Sequence, residues 1–254
     1  MEPLSDQLQI IALAPNAWHG QWVNRQQLLS RLGAQHSVLY STGAWSVWDR
    51  DSAAWRSAAV LGGVTQSDRV SVEVAPKLLL RWPRWRAYDQ WLLSKHAMRL
   101  RRLSGPTNTR LVAMLFHPAF TPYVRRLGAD LVVYHAYDLH EGTPGWSPEQ
   151  NKLEIDLLGC ADIVSASSPG IQARLVEKGQ REIRLLPNGV DLQAFSRPKG
   201  DAAMPPDLAA IPEPRLGYVG SLHPQVDFGS VAKIAEARPT WHVVLVVGTP
   251  TTRD

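Results

Sequence analysis

Cysteine is almost missing from this chain: Cys160 is its one thiol in 254 residues. A single cysteine excludes an intramolecular disulfide framework and suits a reducing compartment. Its neighbours Leu157, Leu158 and Ala161 are apolar, so a buried, inert thiol is expected there rather than a nucleophile. No run reaches the roughly 18 apolar residues that a membrane-spanning helix needs. The opening MEPLSDQLQ sets Glu2 and Asp6 ahead of any apolar stretch, unlike a secretory signal. Charge of one sign is also scarce. A net +4 from 27 basic and 23 acidic residues gives no reason to expect nucleic acid as a partner. The protein is therefore expected in the cytoplasm, with peripheral attachment at the inner face of the cell membrane left open.

What is there is an alternation of short apolar runs and helical segments. Ile10–Ala14 predicts a first buried strand, ended by Pro15. Trp22, Leu29 and Leu32 then fall on one helical face that Gly33 stops. Further strands are expected at Ser37–Tyr40, Val70–Val74, Arg110–Phe116, Asp130–Tyr134, Ile163–Ser167 and Ile183–Leu186. Thr121-Pro122 reads as a helix start and Gly128 as its stop. Pro169 opens another helix, for which Gly179 is the expected left-handed cap. Strand, helix and strand in this order make parallel βαβ units, and residues 1–195 read as one doubly wound α/β domain. Residues 196–214, with five prolines, read as a linker. Residues 215–254 hold one more βαβ unit: strand Arg215–Val219, helix Ser230–Ala237, strand His242–Val247. About 40 residues are too few to bury a core alone, so a truncated second domain, or one that folds against another chain, is expected.

The segment ADIVSASSPGIQARLVEKGQREIRLLPNGVDLQAF, from Ala161 to Phe195, carries the most information. Its Ala161-Asp162, Ser167, and Leu186-Pro187-Asn188-Gly189-Val190-Asp191 with Phe195 resemble the end of the N-terminal domain in GT-B-fold glycosyltransferases, family 4 above all. Trp18-x-Gly20-x-Trp22-x-x-Arg25 and Tyr134-His135-x-x-Asp138 resemble a bacterial branch of that family, as does the opening of a second domain from Pro214 to Gly248. The resemblance spans nearly the whole chain and is weakest over residues 44–105. It implies two Rossmann-like domains closing over a nucleotide-diphosphate sugar. It further implies transfer with retention, no metal and no cofactor beyond the donor, and a polysaccharide or lipid-linked acceptor.

Several residues are placed to carry that chemistry. Gly20 lies in the loop after the first strand, where backbone N–H groups and a helix N-terminus can meet a phosphate; a plain turn glycine is the alternative. No G-x-G-x-x-G accompanies it. Arg25, one helical turn on, faces either that anion or solvent. His117 follows a strand's C-terminal end, where ligands bind in open α/β sheets. The resemblance puts a histidine of this position against the donor sugar, and a cap for the following turn is the other reading. His135, Asp138, His140 and Glu141 gather at the next strand end. Zinc, contact with the acceptor by Asp138, and structural capping are all open there. Gly220 and Ser221 follow the first strand of the second domain and are expected near the diphosphate. Many family members carry an Arg and a Lys just beyond; SLHPQVDFG has neither, and their Glu-x7-Glu region has no counterpart before Asp254.

Residues 77–102 stand apart. They hold eight basic side chains against Asp89 alone, interleaved with Trp82, Trp85 and Trp91. Such a stretch fits an anionic membrane surface, with Arg81, Arg84 and Arg86 beside Trp82 and Trp85. A solvated helix with its tryptophans packed on the sheet, interrupted at Pro83, is the alternative. Three functional readings follow: a glycosyltransferase; a non-catalytic fragment or half of a split enzyme that keeps acceptor or membrane contacts; and a sugar-nucleotide epimerase, which the Pro-Asn-Gly-Val-Asp turn disfavours.

Overall fold

The computed structural model describes residues 7–19, 22–105, 108–143, 145–179, 181–192, 204–220, 222 and 226–247. The chain divides into two compact units, Met1–Val190 and Asp191–Asp254.

The first unit is built on one eight-stranded sheet, ordered β3-β4-β2-β1-β5-β6-β7-β8. Its strands are β1 (Gln9–Leu13), β2 (Ser37–Ser41), β3 (Gly63–Ser67), β4 (Val70–Val74), β5 (Leu111–Leu115), β6 (Leu131–Ala136), β7 (Ile163–Ala166) and β8 (Arg184–Leu185). All neighbours are parallel except β3 and β4. The chain moves outward from β1 through β2 to β4, then returns to the other flank of β1 as β5. That reversal creates a crevice at the C-terminal ends of β1 and β5.

β1 is buried along its whole length because both faces of the sheet are covered. Ile11 and Leu13 join a core with Leu93, Ala97 and Leu100 of helix α3 (Arg86–Leu103) and with Leu157 and Leu158 of α5 (Pro148–Cys160). Ile10, Ala12 and Ala14 face the other way, toward Trp18 and Leu29 of α1 (Asn24–Leu32). Each such Leu or Ile contributes about 1.5–3 kcal/mol by leaving water.

Three details differ from the sequence-based expectation. β3 is an additional strand, pairing antiparallel with β4 through a turn in which Asp68 and Arg69 both take positive φ. Its GVTQS sequence is polar because it lies at the sheet edge, largely exposed. Gly179 is not a left-handed cap; it is the last residue of α6 (Pro169–Gly179). A Cβ there would come within 3.2 Å of Leu158, so glycine serves close packing of α6 against α5. Cys160 is exposed rather than buried, although partial desolvation still raises its thiol pKa and keeps it a poor nucleophile. Gly128, by contrast, ends the short helix α4 (Val124–Leu127) at φ 54°, as its position suggests.

The second unit pairs β9 (Arg215–Val219) in parallel with β10 (His242–Val246). Between them runs a helix, Phe228–Ala237, capped by Asp227, whose carboxylate accepts from the Ser230 N–H at 3.0 Å. No described residue of these three elements is buried. The expected linker contains one helical turn, Pro206–Ala209.

Candidate functional site

The crevice at the switch point is bounded by the residues after β1, the first turn of α1, and the ends of β5 and β6. His117 directly follows the buried Phe116 at the end of β5. It opens a 3₁₀ turn, accepting the Ala119 N–H on Nδ1 at 3.1 Å. The capping role is therefore real, and it has a chemical consequence. With Nδ1 as acceptor, the neutral ring carries its proton on Nε2. Burial, with help from nearby His140, lowers the His117 pKa to about 4. At neutral pH this side chain is a hydrogen-bond donor through Nε2, not a cationic acid.

His140 lies 4.5 Å from His117, centroid to centroid, edge to face. It begins a 3₁₀ turn after β6 and is hydrogen-bonded to the Phe116 carbonyl. Burial lowers its pKa too, and its Nε2 is buried without a partner among the described residues. Tyr137 packs against His140 at 5.3 Å, and the Arg25 guanidinium lies 5.1 Å over the Tyr137 ring.

Arg25 is only 3% exposed, and its Nε finds no hydrogen-bond partner among the described residues. Its charge acts on the hydroxyls of Tyr40 and Tyr137. Burial pushes the Tyr40 phenol up to about 12, while Arg25 pulls the other way. No carboxylate pairs with Arg25 among the described residues, and a buried cation without a counter-charge is costly. The start of α1 sharpens the effect. Val23 stands at its N-cap and has no side-chain acceptor, so the positive helix end adds to Arg25. Asn24, the first residue of α1, bonds through its side chain to Asn188 of the Pro-Asn-Gly turn after β8.

The acidic and histidine cluster at the end of β6 does not assemble into one site. His135 points its Nδ1 at the Ser165 hydroxyl at 2.9 Å inside the sheet. Asp138 is exposed and accepts from the Leu139 N–H at 2.8 Å, a local cap. Glu141 pairs with Arg174 and Lys178. Among the described residues no three His, Cys, Asp or Glu side chains converge as metal ligands. Gly220 donates its N–H to the Val246 carbonyl at 3.1 Å. Gly20 and Ser221 lie outside the described residues. Sequence reasoning passed over Tyr40 and Tyr137; the signal was their place at the C-terminal ends of β2 and β6, which neighbour the switch point.

No protein-family model matches the chain, and neither does any curated protein sequence. Among solved structures, a sucrose-phosphate synthase from Thermosynechococcus elongatus matches with a TM-score of 0.63 at 15% identity. The match covers 97% of this chain and 64% of that one, so the chain spans under two thirds of the length of the protein it resembles. The fold is the GT-B type. At this identity the likeness carries architecture alone, and the described crevice lies in the first unit, at the switch point of its doubly wound sheet.

On the surface of this same domain, residues 77–102 are arranged differently from a helix with buried tryptophans. Helix α3 begins at Arg86, after Pro83, and Trp82, Trp85 and Trp91 are 52%, 67% and 54% exposed. Trp85 stacks on Tyr88 at 5.6 Å, Arg84 lies over Trp48 at 5.7 Å, and Lys95 over Trp91 at 5.6 Å. Arg81 is occupied otherwise, forming two hydrogen bonds to Asp89 at 3.0 and 2.9 Å. No described helix is long and apolar enough to cross a membrane.

Proposed function

We propose that this chain carries the acceptor-side domain of a glycosyltransferase that moves a sugar from a nucleotide-diphosphate donor to a saccharide or lipid-linked acceptor, with retention. The observation that carries the reading is the placement at the switch point of a GT-B fold of His117 and of the buried Arg25, whose guanidinium meets the Tyr40 and Tyr137 hydroxyls and no carboxylate among the described residues. His117, neutral and donating from Nε2, holds a hydroxyl of the donor sugar near the reacting carbon. We assign Arg25 to the acceptor and diphosphate side, Gly220 to the donor diphosphate and Asp138 to the acceptor; Gly20 and Ser221, outside the described residues, are assigned to the diphosphate from the sequence alone. Their common task is to stabilise the charge that develops as the diphosphate departs. Assembly of a cell-surface polysaccharide or glycolipid suits such an acceptor. The test is release of nucleoside diphosphate by the full-length protein from a panel of uridine, guanosine and adenosine diphosphate sugars. At least one donor is expected to turn over in the presence of a saccharide or lipid acceptor; no release from any of them would sink the reading.

The exposed tryptophan and arginine surface supports a further element, peripheral binding to the anionic cytoplasmic face of the membrane. Indole rings bury at the headgroup level, and each nearby cation contributes about 1 kcal/mol. Of the five residues Arg81, Trp82, Arg84, Trp85 and Arg86, Arg81 contributes least because Asp89 neutralises it. Reversing Arg84 and Arg86 to glutamate is expected to weaken sedimentation with phosphatidylglycerol vesicles by ~30-fold or more, the equivalent of about 2 kcal/mol. Binding that ignores both the double reversal and added salt would remove this element and leave the transferase reading in place. If vesicle binding persists in a protein that turns over no donor, the non-catalytic binding module takes precedence.

A further inference from the structure

Beside the switch point the first unit has a second space, a pocket of about 440 Å³ that is open to solvent on one side. This is within the size range of small-molecule sites. It is lined by Trp18 and Tyr40, packed edge to face at 5.0 Å and buried, and by Trp45, Ala54, Ala58 and Val64. The polar atoms of two of these aromatic residues are turned away from any ligand. The Tyr40 hydroxyl donates to the Asn16 carbonyl, and Trp45 Nε1 donates to the Ala75 carbonyl at 2.7 Å. Part of the lining comes from the segment between α2 (Ala53–Ser57) and β3, within residues 44–105, where the family resemblance is weakest.

The chemistry of the walls selects the occupant. Glu73 is the charged residue of the lining whose two oxygens are both engaged, by Ser41 on one side and by His96 and Arg99 on the other. Its carboxylate is spent on these partners and presents no free acceptor to a ligand. Carbon surface dominates the rest, so a sugar ring would leave most of its hydroxyls unpaired at a cost for each. An uncharged aliphatic chain fits. The rim supports the same choice: Val60 and Leu61, just past α2, are exposed apolar residues, and Trp55 stands edge-on to Trp45 at 5.5 Å.

We propose that this cavity binds the aliphatic chain of the acceptor, delivering its hydroxyl to the adjoining crevice past Trp18 and Tyr40. That the chain belongs to an acceptor rests on the glycosyltransferase reading; the capacity of the cavity for a chain does not.

The test uses the full-length protein and 10-bromodecan-1-ol, whose bromine quenches indole fluorescence on contact. Saturable quenching is expected. Straight-chain alkanols from hexanol to decanol should displace the probe, with affinity rising about fourfold per methylene. Two variants fill the space. Gly63→Leu is chosen because a Cβ there meets nothing within 4 Å, and Ala58→Phe because Ala58 also lines the space and its replacement adds a full ring. Each is expected to weaken probe binding at least tenfold with an unchanged circular dichroism spectrum, whereas Ile155→Ala, on the exposed face of α5, leaves binding as it was. Non-saturable quenching, wild-type affinity in both filled variants, or loss only in Ile155→Ala would overturn the proposal. Binding that behaves as expected in a protein that turns over no donor would overturn the transferase reading alone.

Discussion

Replacing His117 with alanine is expected to lower kcat for sugar transfer by about 10²–10³, the usual cost of removing one preorganised donor to a developing charge. The magnitude separates chemistry from folding. Alanine also removes the Nδ1 acceptor for the Ala119 N–H, a turn cap whose loss costs about 0.5–2 kcal/mol. That is too little to unfold a domain with this core, so thermal unfolding should shift by only a few degrees while kcat collapses. His117→Gln, which restores a donor but not the ring, should recover part of the rate. Because burial and His140 hold the His117 pKa at about 4, its loss of charge lies below the working range. The rate should therefore show no titration near pH 6.5 from this group. A variant with near-normal kcat, or a wild-type profile that bends at pH 6.5 and flattens in His117→Ala, would remove the assigned role.

Glu73→Ala is expected to be the most damaging single substitution for stability, about 3–5 kcal/mol. Glu73 is the hub of a buried network: His96 Nε2 at 3.3 Å, Arg99 Nε at 3.2 Å and the Ser41 hydroxyl at 2.8 Å all converge on it. His96 in turn reaches the Tyr123 hydroxyl at 2.9 Å, which accepts the Ala44 N–H at 3.0 Å. Alanine strands these groups in the core, whereas Glu73→Gln keeps one acceptor oxygen, supplies an NH2 that the Ser41 hydroxyl can accept, and should cost less. Burial by itself would raise the Glu73 pKa, but the hydrogen bond and charge of His96, with Ser41 and Arg99, more than reverse this and hold it below 4.5. A carboxylate whose folded pKa is depressed contributes stability fully above its unfolded pKa and loses it as pH falls through the folded value. The stability gap between wild type and Glu73→Gln should thus be constant at neutral pH and narrow below about pH 4.5. Urea unfolding at a series of pH values reads this directly; a gap that widened on acidification would contradict it.

The central strands were legible for a physical reason. β1, β5, β6 and β7 are covered on both faces, so Ile10–Ala14 or Leu111–Phe116 appear as unbroken apolar runs. β3 gave no such signal, since an edge strand facing solvent reads as GVTQS. The placement of His117 follows from strand order alone, because any residue just past the end of β5 borders the crevice. Its partners did not follow. Tyr40, Tyr137 and the His117–His140 contact join residues from three strands, and only the register of the sheet brings them together. His135, Asp138, His140 and Glu141 illustrate the converse: neighbours in sequence at the end of a strand point to different faces, and Glu141 is drawn off by Arg174 and Lys178. The tryptophans of residues 77–102 were readable as an amphipathic pattern, but whether they faced the sheet or solvent depended on where α3 began.

The position of β1 at the middle of its sheet also sets a schedule for synthesis. Gln9 pairs with Ser37 on one side and with Leu111 on the other, a separation of 102 residues. At about 5–20 residues per second the ribosome needs roughly 5–20 s to deliver that second partner. During this interval β1 gains β2, β4 and β3 on its other side only, and its Ile10, Ile11 and Leu13 wait beside unpaired backbone on the flank meant for β5. Nascent chains stopped before residue 111 are the ones that chaperones should hold, and release should coincide with emergence of β5.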